Sequence, residues 1–331
     1  MLPALPRSAV AVVSAVAVVS AAVFVSLGAV ALPVTLPGGA RAMASPVPPA
    51  TTSHAVAVVA APAVVAAPAA RKGPTGVDAD AGELVDASTG KWLWSRGLNT
   101  RHPIASITKV MTALVVVSAG DLSRKIRVTQ AAENYARANS AGSADLIVGD
   151  VLTARQLLEG MLLPSGADAA YLLANTYGHG WRAFVRKMNA RARKLGMTQT
   201  HFANFDGLPW PTPTATYSSP RDLITLGEAA MKVPLLKQIV GERSHWVGRT
   251  SQHHRYHWTN TNLLLGKYRG AIGIKTGFTT AAGYCLLFAA VRGGRELMGV
   301  VLDSTTSDTA TRFTAAERLL TWGFAATKPP S

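Results

Sequence analysis

Two short motifs, far apart in the chain, carry residue types suited to acyl transfer. Ser106 and Lys109 stand three residues apart at the start of a predicted helix, which puts the amine on the same helical face as the hydroxyl. Lys275, Thr276 and Gly277 open a predicted strand and would offer a cation, a hydroxyl and an unobstructed backbone to a substrate that ends in a carboxylate. Together the motifs predict a serine that becomes acylated by such a substrate.

The chemistry of the first motif requires a neutral lysine. Burial of Lys109, and a second cation such as Lys275, would lower the pKa of the amine and allow it to accept the serine proton. The backbone N–H groups of Ser106 and Phe278 are candidates to bind the oxyanion of a tetrahedral intermediate. Ser88 and Lys91 have the same spacing, but they lie in a predicted hairpin turn, where the geometry fails.

A third polar group is predicted over the same cleft. Ser165 follows Leu162-Leu163-Pro164 and precedes a helical pattern, so its hydroxyl would emerge from a loop within reach of Lys109 and relay protons. The alternative is that Ser165 only caps the helix that starts near Ala167.

The elements that must position these motifs predict an α+β fold. Two strands precede a block of helices, and three strands and a last helix follow it, so the strands pair across the helical block in an antiparallel sheet beside a mostly helical lobe. The predicted strands are 83–87, 91–94, 271–279, 284–291 and 296–303. The predicted helices are the run after Ser106, 154–174, 181–195, 222–231 and 311–320.

The N-terminus is typical of an exported protein. Residues 8–39 contain no charge, Arg7 precedes them, and Ala42-Met43-Ala44 is a candidate cleavage site, so residues 1–44 predict a signal peptide. The apolar run is long enough for an uncleaved membrane anchor, which stays open as the alternative. Residues 45–75 are predicted to form an Ala/Pro-rich linker, 76–324 the catalytic domain and 325–331 a short tail.

The composition and charge of the chain limit the classes of partner that it is expected to bind. The chain has 331 residues and a formal net charge of +15, which for an exported protein favours anionic wall polymers or a membrane surface. Nucleic acid is not expected, because the basic run 182–194 has the apolar spacing of an amphipathic helix with a solvated face. The single cysteine, Cys285, cannot form an internal disulfide and is predicted to be a buried residue of a strand, without a metal or redox role.

The motifs in their order resemble the serine D-alanyl-D-alanine carboxypeptidases, the low-molecular-mass penicillin-binding proteins. The resemblance covers 76–324 and rests on the stretches 85–91, 104–113, 162–170, 188–189 with 195–197, 206–208, 273–279 with 282–283, and 319–324. It implies the penicillin-binding, β-lactamase-like serine transferase fold, with a five-stranded antiparallel sheet flanked by helices. No metal and no cofactor are implied.

The resemblance also implies a role for each site residue. Ser106 would attack the carbonyl between two D-alanines of a peptidoglycan stem peptide, with Lys109 as the base and Ser165 as the relay to the leaving D-alanine. The terminal carboxylate would be held by Lys275 and Thr276. Two further implied groups are the Phe278 backbone N–H, for the oxyanion, and Arg312, which stands twelve residues before Phe324 and where the family keeps a carboxylate-binding arginine.

One position departs from the family pattern. The second motif of the family is usually Ser-x-Asn, whose amide contacts the substrate, but Ala167 occupies the asparagine position and no Ser-x-Asn occurs in the chain. A lost transition-state hydrogen bond would cost about 1–3 kcal/mol, or about 10- to 100-fold in rate.

The predicted function is therefore that of an exported carboxypeptidase acting on peptidoglycan stem pentapeptides at the cell wall or the outer face of the cytoplasmic membrane. β-Lactam antibiotics would mimic the dipeptide and acylate Ser106. A β-lactamase is one alternative, although no deacylating glutamate stands in a recognisable motif. A non-catalytic penicillin sensor or wall-binding protein is the other, suggested by Ala167.

Overall fold

The computed structural model describes residues 73–304 and 308–326, and the predictions for the N-terminal segment lie almost wholly outside them. The described residues contain the strands β1 Ala81–Asp86, β2 Lys91–Arg96, β3 His102–Pro103, β4 Lys125–Arg127, β5 Val151–Thr153, β6 Tyr217–Ser218, β7 Ser244–Val247, β8 Tyr256–Thr259, β9 Ala271–Thr279, β10 Gly283–Arg292 and β11 Arg295–Ser304. Their α-helices are α1 Thr108–Ala119, α2 Gln130–Ala138, α3 Ala154–Leu162, α4 Ala167–Gly178, α5 Trp181–Lys194, α6 Pro220–Met231, α7 Pro234–Gly241 and α8 Thr311–Ala326. A 3-10 turn, Ala105–Ile107, precedes α1.

The central sheet has five strands in the order β2-β1-β11-β10-β9, and each neighbouring pair is antiparallel. The first hairpin and the last three strands therefore meet in one sheet, as predicted, because β1 pairs with β11 from Ala81 opposite Leu302 to Asp86 opposite Leu297. The strand β9, which carries Lys275, Thr276 and Gly277, lies at one edge.

Side chains alternate between the two faces of this sheet, and both faces are covered. In β1, Leu84 packs with Phe288 and Leu320 in the core beneath α8, whereas Val85 belongs to the larger core shared with the helical lobe. A strand that is buried on both faces has apolar residues at consecutive positions. The strands β10 and β11 have this pattern, which is why they could be predicted from the sequence.

The helices between the two groups of strands were predicted, but several of their bounds differ from the prediction. The run 154–174 is not one helix: α3 ends at Leu162 and α4 begins at Ala167. The basic helix α5 turns Phe184, Val185 and Met188 into the core, as predicted. The last helix, α8, runs six residues beyond its predicted end. The short pairs β3–β6, β4–β5 and β7–β8 were not predicted.

Glu83 is a buried acid in the middle of β1. It is 1% exposed, its Oε2 atom has no hydrogen-bond partner among the described residues, and burial raises its pKa to about 7. Arg221 opposes that shift and Glu228 adds to it. Glu83 lies on a strand away from the serine motif, so its charge bears on stability.

We expect Glu83→Gln to stabilise the protein at alkaline pH. The folded-state pKa lies above the unfolded value, so the favourable contribution of the protonated acid is full below about pH 4.5 and is lost as pH rises through about 7. The variant should gain up to ~3 kcal/mol over wild type at pH 8 and little at pH 4.5, measured by denaturant unfolding at both values. The control is Glu133→Gln, because the side chain of Glu133 is 43% exposed and pairs with Arg137 on the surface of α2. An equal gain at both pH values would contradict this assignment.

Candidate active site

Ser106 lies in a strained turn that leads into a buried helix. The preceding residue, Ala105, has φ +44°, a backbone conformation that L-residues rarely adopt. Gly207 covers this turn so closely that an added Cβ would lie 1.9 Å from the Ala105 carbonyl oxygen. Residues 108–116 of α1 are all buried, so the helix that follows Ser106 is held by core packing on every side. The turn is therefore fixed from both sides.

Lys109 points back at Ser106, as the spacing predicted. Its Nζ atom lies 2.9 Å from Ser106 Oγ and 3.4 Å from the backbone carbonyl oxygen of Asp206. The side chain is 1% exposed, and this burial lowers the pKa of the amine against the opposing charges of Asp206 and Asp168. A lowered pKa favours the neutral amine, which is the form that can accept a proton from a hydroxyl.

Asp206 and Tyr135 lie behind Lys109. Neither residue was predicted from the sequence to belong to the site. Asp206 is fully buried, and burial raises its pKa although Lys109 acts in the opposite direction. Its Oδ2 atom accepts a hydrogen bond of 2.8 Å from the Tyr135 hydroxyl, which in turn accepts one of 3.0 Å from Trp210 Nε1. The lowered pKa of Lys109 and the raised pKa of Asp206 both favour the uncharged form of the side chain. Asp206 was visible only as part of a resembling stretch, because nothing in its spacing marks a functional role.

Lys275 is a second buried cation close to the first. It is 1% exposed, and its pKa is lowered well below the usual value by burial first and then by the charges of Lys109 and Arg312. Its Nζ atom donates to the carbonyl oxygen of Thr276 at 3.3 Å and to the Thr276 hydroxyl at 3.4 Å. That hydroxyl also lies 2.6 Å from the hydroxyl of Thr261. The structure thus brings the two predicted motifs together around two lysines.

Gly277 lies directly against the serine turn. A Cβ built on it would stand 2.8 Å from the Ile104 carbonyl oxygen and 3.3 Å from the Ser106 backbone nitrogen. Arg312 of α8 donates to the Gly277 carbonyl oxygen at 3.0 Å, which ties the strand to the helix behind it. Phe278, the next residue, is 46% exposed, and its ring stacks on Tyr284 with centroids 4.4 Å apart.

Ser165 occupies the loop between α3 and α4 with φ +71°. It does not cap α4, because the capping position is Gly166, which has no side chain that could bond to the start of the helix. The Ser165 hydroxyl also has no hydrogen bond to Ser106 or Lys109 within the described part of the chain. Ala167 is fully buried, and its backbone N–H donates to Gly142.

Asp168 does not replace the missing asparagine. Its carboxylate accepts hydrogen bonds from the backbone N–H groups of Ala144 and Leu146 and from the Ser143 hydroxyl. These contacts hold the loop that follows α2.

We expect Gly277→Ala to damage this site without unfolding the protein. The new methyl would contact the backbone at Ile104 and Ser106, which cannot move aside as a flexible side chain would, so the strand must shift away from Ser106. A displacement of about 1 Å costs about 100-fold in rate, and we expect a 10- to 100-fold loss of kcat/KM for acyl transfer. Gly248→Ala is the matched control, because nothing lies within 4 Å of its added Cβ. Equal activity of both variants would show that the contact is not needed.

No group of three or more His, Cys, Asp or Glu side chains in the described residues could hold a metal ion. Cys285 is fully buried in β10, and burial raises the pKa of its thiol to about 12. Within the same residues, no helix combines the length and the apolar character needed to cross a membrane.

This fold, with its serine and two buried lysines, defines a class of serine acyl-transfer proteins. The family model described as D-alanyl-D-alanine carboxypeptidase, Peptidase S11, matches residues 67–306, and the chain belongs to this family.

Individual D-alanyl-D-alanine carboxypeptidases are similar to this chain over most of its length. The D-alanyl-D-alanine carboxypeptidase of Streptomyces sp. strain K15 is 40% identical over 261 residues, covering 75% of this chain and 88% of the relative. DacB2 of Mycobacterium tuberculosis, a D-alanyl-D-alanine carboxypeptidase, is 39% identical over 243 residues, covering 73% and 81%. The crystal structure of the Streptomyces K15 DD-transpeptidase superposes with a TM-score of 0.72 at 41% identity, covering 77% of this chain and 100% of that one. The predicted family and fold are thereby confirmed.

Proposed function

We propose that this protein is a serine-type D-Ala-D-Ala carboxypeptidase that removes the terminal D-alanine from peptidoglycan stem pentapeptides. The observation that carries the proposal is the 2.9 Å contact between Ser106 Oγ and a buried Lys109 amine, with β9 packed against the same turn. The family to which the chain belongs supports the same reaction.

In the acylation step, Ser106 Oγ attacks the carbonyl carbon between the two D-alanines while its proton passes to Lys109 Nζ. The carbonyl oxygen becomes an oxyanion, which the backbone N–H groups of Ser106 and Phe278 would stabilise. The C–N bond then breaks, the ester to Ser106 remains, and D-alanine leaves with the proton relayed through Ser165. In the second step, water adds to the ester carbon and returns a proton to Ser106 as the shortened peptide leaves as an acid.

The terminal carboxylate of the substrate would bind at Lys275 and Thr276. Both side chains lie at the same point of β9, and the Thr276 hydroxyl is held by Thr261. We assign Arg312 a supporting part, because its guanidinium already bonds to the Gly277 carbonyl oxygen and adds positive charge near Lys275. Ala167 offers only a methyl group where the family amide would contact the substrate.

The test is D-alanine release from Nα,Nε-diacetyl-L-Lys-D-Ala-D-Ala by the full chain. The L-Ala-L-Ala diastereomer is the control for stereospecificity. Because the similar Streptomyces structure is named a DD-transpeptidase, the assay also includes a glycine acceptor. Release of D-alanine with free peptide acid as the main product supports the proposal. A folded protein that releases none would contradict it and favour a non-catalytic wall-binding or penicillin-sensing protein.

We propose in addition that β-lactams acylate Ser106 and that the protein is exported, acting at the cell wall or the outer face of the cytoplasmic membrane. The uncharged run 8–39 supports export, with cleavage or retention as an anchor both open. Intact-mass spectrometry after benzylpenicillin should show one persistent adduct on wild type. Rapid loss of that adduct would instead favour the β-lactamase alternative. Protease accessibility in intact spheroplasts tests the location.

A further inference from the structure

A groove beside the β7–β8 hairpin collects positive charge and hydrogen-bond donors. It has a volume of about 460 Å³ and is lined on one side by the hairpin with the residue that precedes it, and on the other by the segment 260–267. Its polar lining includes Arg243, Ser244, His257, Thr259, Asn262 and Lys267, and we call it the basic groove. None of the described residues that line it is acidic.

The two cations of the basic groove lie close together in the fold, and neither is paired with an acid. Arg243 packs against Gly266, because an added Cβ on Gly266 would lie 2.8 Å from Arg243 Nε, and Lys267 is the next residue. Both cations are exposed, and neither forms an ion pair within the described residues. The carboxylate of Glu242 is bonded to His245 instead, at 2.8 Å. Neighbouring like charges repel each other, and an anion bound between them would offset that repulsion.

A buried amide in the same groove also lacks a partner. Asn262 is 2% exposed, and its Oδ1 atom accepts a hydrogen bond of 3.2 Å from the Leu264 backbone N–H. Its Nδ2 atom has no hydrogen-bond partner among the described residues. By contrast, Asn260 Nδ2 donates to the carbonyl oxygens of Val240 and Glu242. A buried donor without a partner is costly, so Asn262 is a second and independent indication of a ligand with acceptor oxygens.

The outer face of the hairpin adds hydroxyl groups and an aromatic edge. Across β7 and β8, Ser244 is paired with Thr259, and Trp246 is paired with His257. All four residues are exposed, and the ring of Trp246 stacks on that of His257 with centroids 3.9 Å apart. Hydroxyl groups both donate and accept hydrogen bonds, and the stacked rings offer a flat apolar surface. This face therefore suits a hydroxyl-bearing carbon chain attached to the anion.

The donors of the basic groove favour a phosphate group over a carboxylate. A carboxylate has two acceptor oxygens and a phosphate group has more, whereas the groove offers a guanidinium, an ammonium, an amide and hydroxyls. Guanidinium and ammonium groups are both common partners of phosphate. The volume leaves room for the chain that carries the phosphate, and the formal net charge of +15 would attract a polyanion from a distance.

The segment that lines the basic groove also reaches the candidate active site. Thr261 stands between two residues of the groove lining, and its hydroxyl lies 2.6 Å from the Thr276 hydroxyl. Its backbone N–H donates to the Leu163 carbonyl oxygen at 3.1 Å. Ser106 and Lys109 do not line the groove. A ligand there would hold the protein without occupying the serine site.

We propose that the basic groove binds a phosphate group of an anionic, phosphodiester-linked polymer, and that Arg243, Lys267 and the Asn262 amide hold that phosphate. Such a site would retain the protein on a polyanion while the cleft stays open to substrate. The inference goes beyond the proposed function and does not depend on it, because binding is measured without a peptide substrate.

The test is isothermal titration of the full chain with poly(glycerol phosphate), inorganic phosphate and acetate. Wild type should bind the polymer, inorganic phosphate more weakly, and acetate not at all. Arg243→Gln and Lys267→Gln should each weaken polymer binding by about 10-fold, since each removes one charge-assisted contact. Ser244→Glu, which places a carboxylate in the groove and keeps both cations, should weaken it at least as much. The melting temperatures should match wild type, because all three positions are exposed.

The matched control removes the same charge elsewhere. Arg186→Gln combined with Lys194→Gln takes two cations from exposed positions of α5, outside the groove lining. Polymer binding should weaken by less than about 3-fold in this control, and by about 100-fold in Arg243→Gln combined with Lys267→Gln.

Three results would overturn the inference. Equal losses in the two double variants would mean that binding follows net charge alone. Acetate that binds as tightly as inorganic phosphate would contradict the choice of anion. Groove-dependent binding to phosphatidylglycerol vesicles, without binding to the polymer, would make a membrane the occupant instead.

Discussion

Ser106→Ala is expected to abolish D-alanine release, lowering kcat/KM by about 10⁴-fold or more. The substitution removes the single oxygen that lies 2.9 Å from the Lys109 amine and leaves the turn intact, because no other side-chain hydrogen bond of Ser106 is present in the described residues. Thermal unfolding should therefore match wild type while the acyl-enzyme disappears. The measurements are D-alanine release and intact mass after exposure to penicillin.

The chain supplies its own control for this variant. Ser88 and Lys91 reproduce the same spacing, but Ser88 is exposed on the β1–β2 turn and its hydroxyl accepts a hydrogen bond from the Glu296 backbone at 2.8 Å. Ser88→Ala should release D-alanine at the wild-type rate. If Ser106→Ala keeps more than a tenth of the activity, the nucleophile lies elsewhere.

Lys109→Met is expected to lower kcat by about 10³-fold, because methionine fills similar buried volume without an amine to accept the serine proton. In wild type, the rate should rise with pH as Lys109 loses its proton. Burial lowers the pKa of this amine from the ordinary lysine value of 10.5, so the rise should occur at lower pH than the titration of an exposed lysine. The measurement is the pH profile of kcat/KM for both proteins, and the variant should lose the acidic limb.

The control is Lys91→Met, which removes an exposed amine of the same motif spacing. Its activity and pH profile should match wild type. An acidic limb that persists in Lys109→Met would assign the titration to another group, and Lys275, whose pKa is lowered further, is the next candidate.

Much of this architecture could be predicted because the patterns were strong. The strands β9, β10 and β11 are long apolar runs bounded by glycines, and the two motifs have spacings whose chemistry is limited by helix and strand geometry. The meeting of Lys109 and Lys275 followed from the fold that the motifs implied. In the structure, burial lowers the pKa of both amines, and the charge of Lys109 lowers the pKa of Lys275 further.

The rest depends on tertiary contacts that leave no periodic signal. The break between α3 and α4 comes from Pro164 and from the positive φ of Ser165. Tyr135 and Asp206 lie 71 positions apart, and neither stands in a motif that spacing alone would single out. A cavity in the helical lobe is assembled from three helices and a loop, and its lining residues are ordinary core candidates until the fold places them together. They are Tyr135, Asn139, Tyr171, Trp181, Phe205 and Trp210.

The sheet order has a consequence for how the chain acquires activity. The partner of β1 is β11, roughly 220 residues later, and Gly277 reaches Ser106 across roughly 170 residues. Contacts of such high sequence separation form late, since the entropy of closing these loops must be overcome before the strands pair. Regain of D-alanine release during refolding should therefore coincide with completion of the sheet. A nascent chain that ends before β11 would hold its hairpin and its serine helix without a catalytic centre.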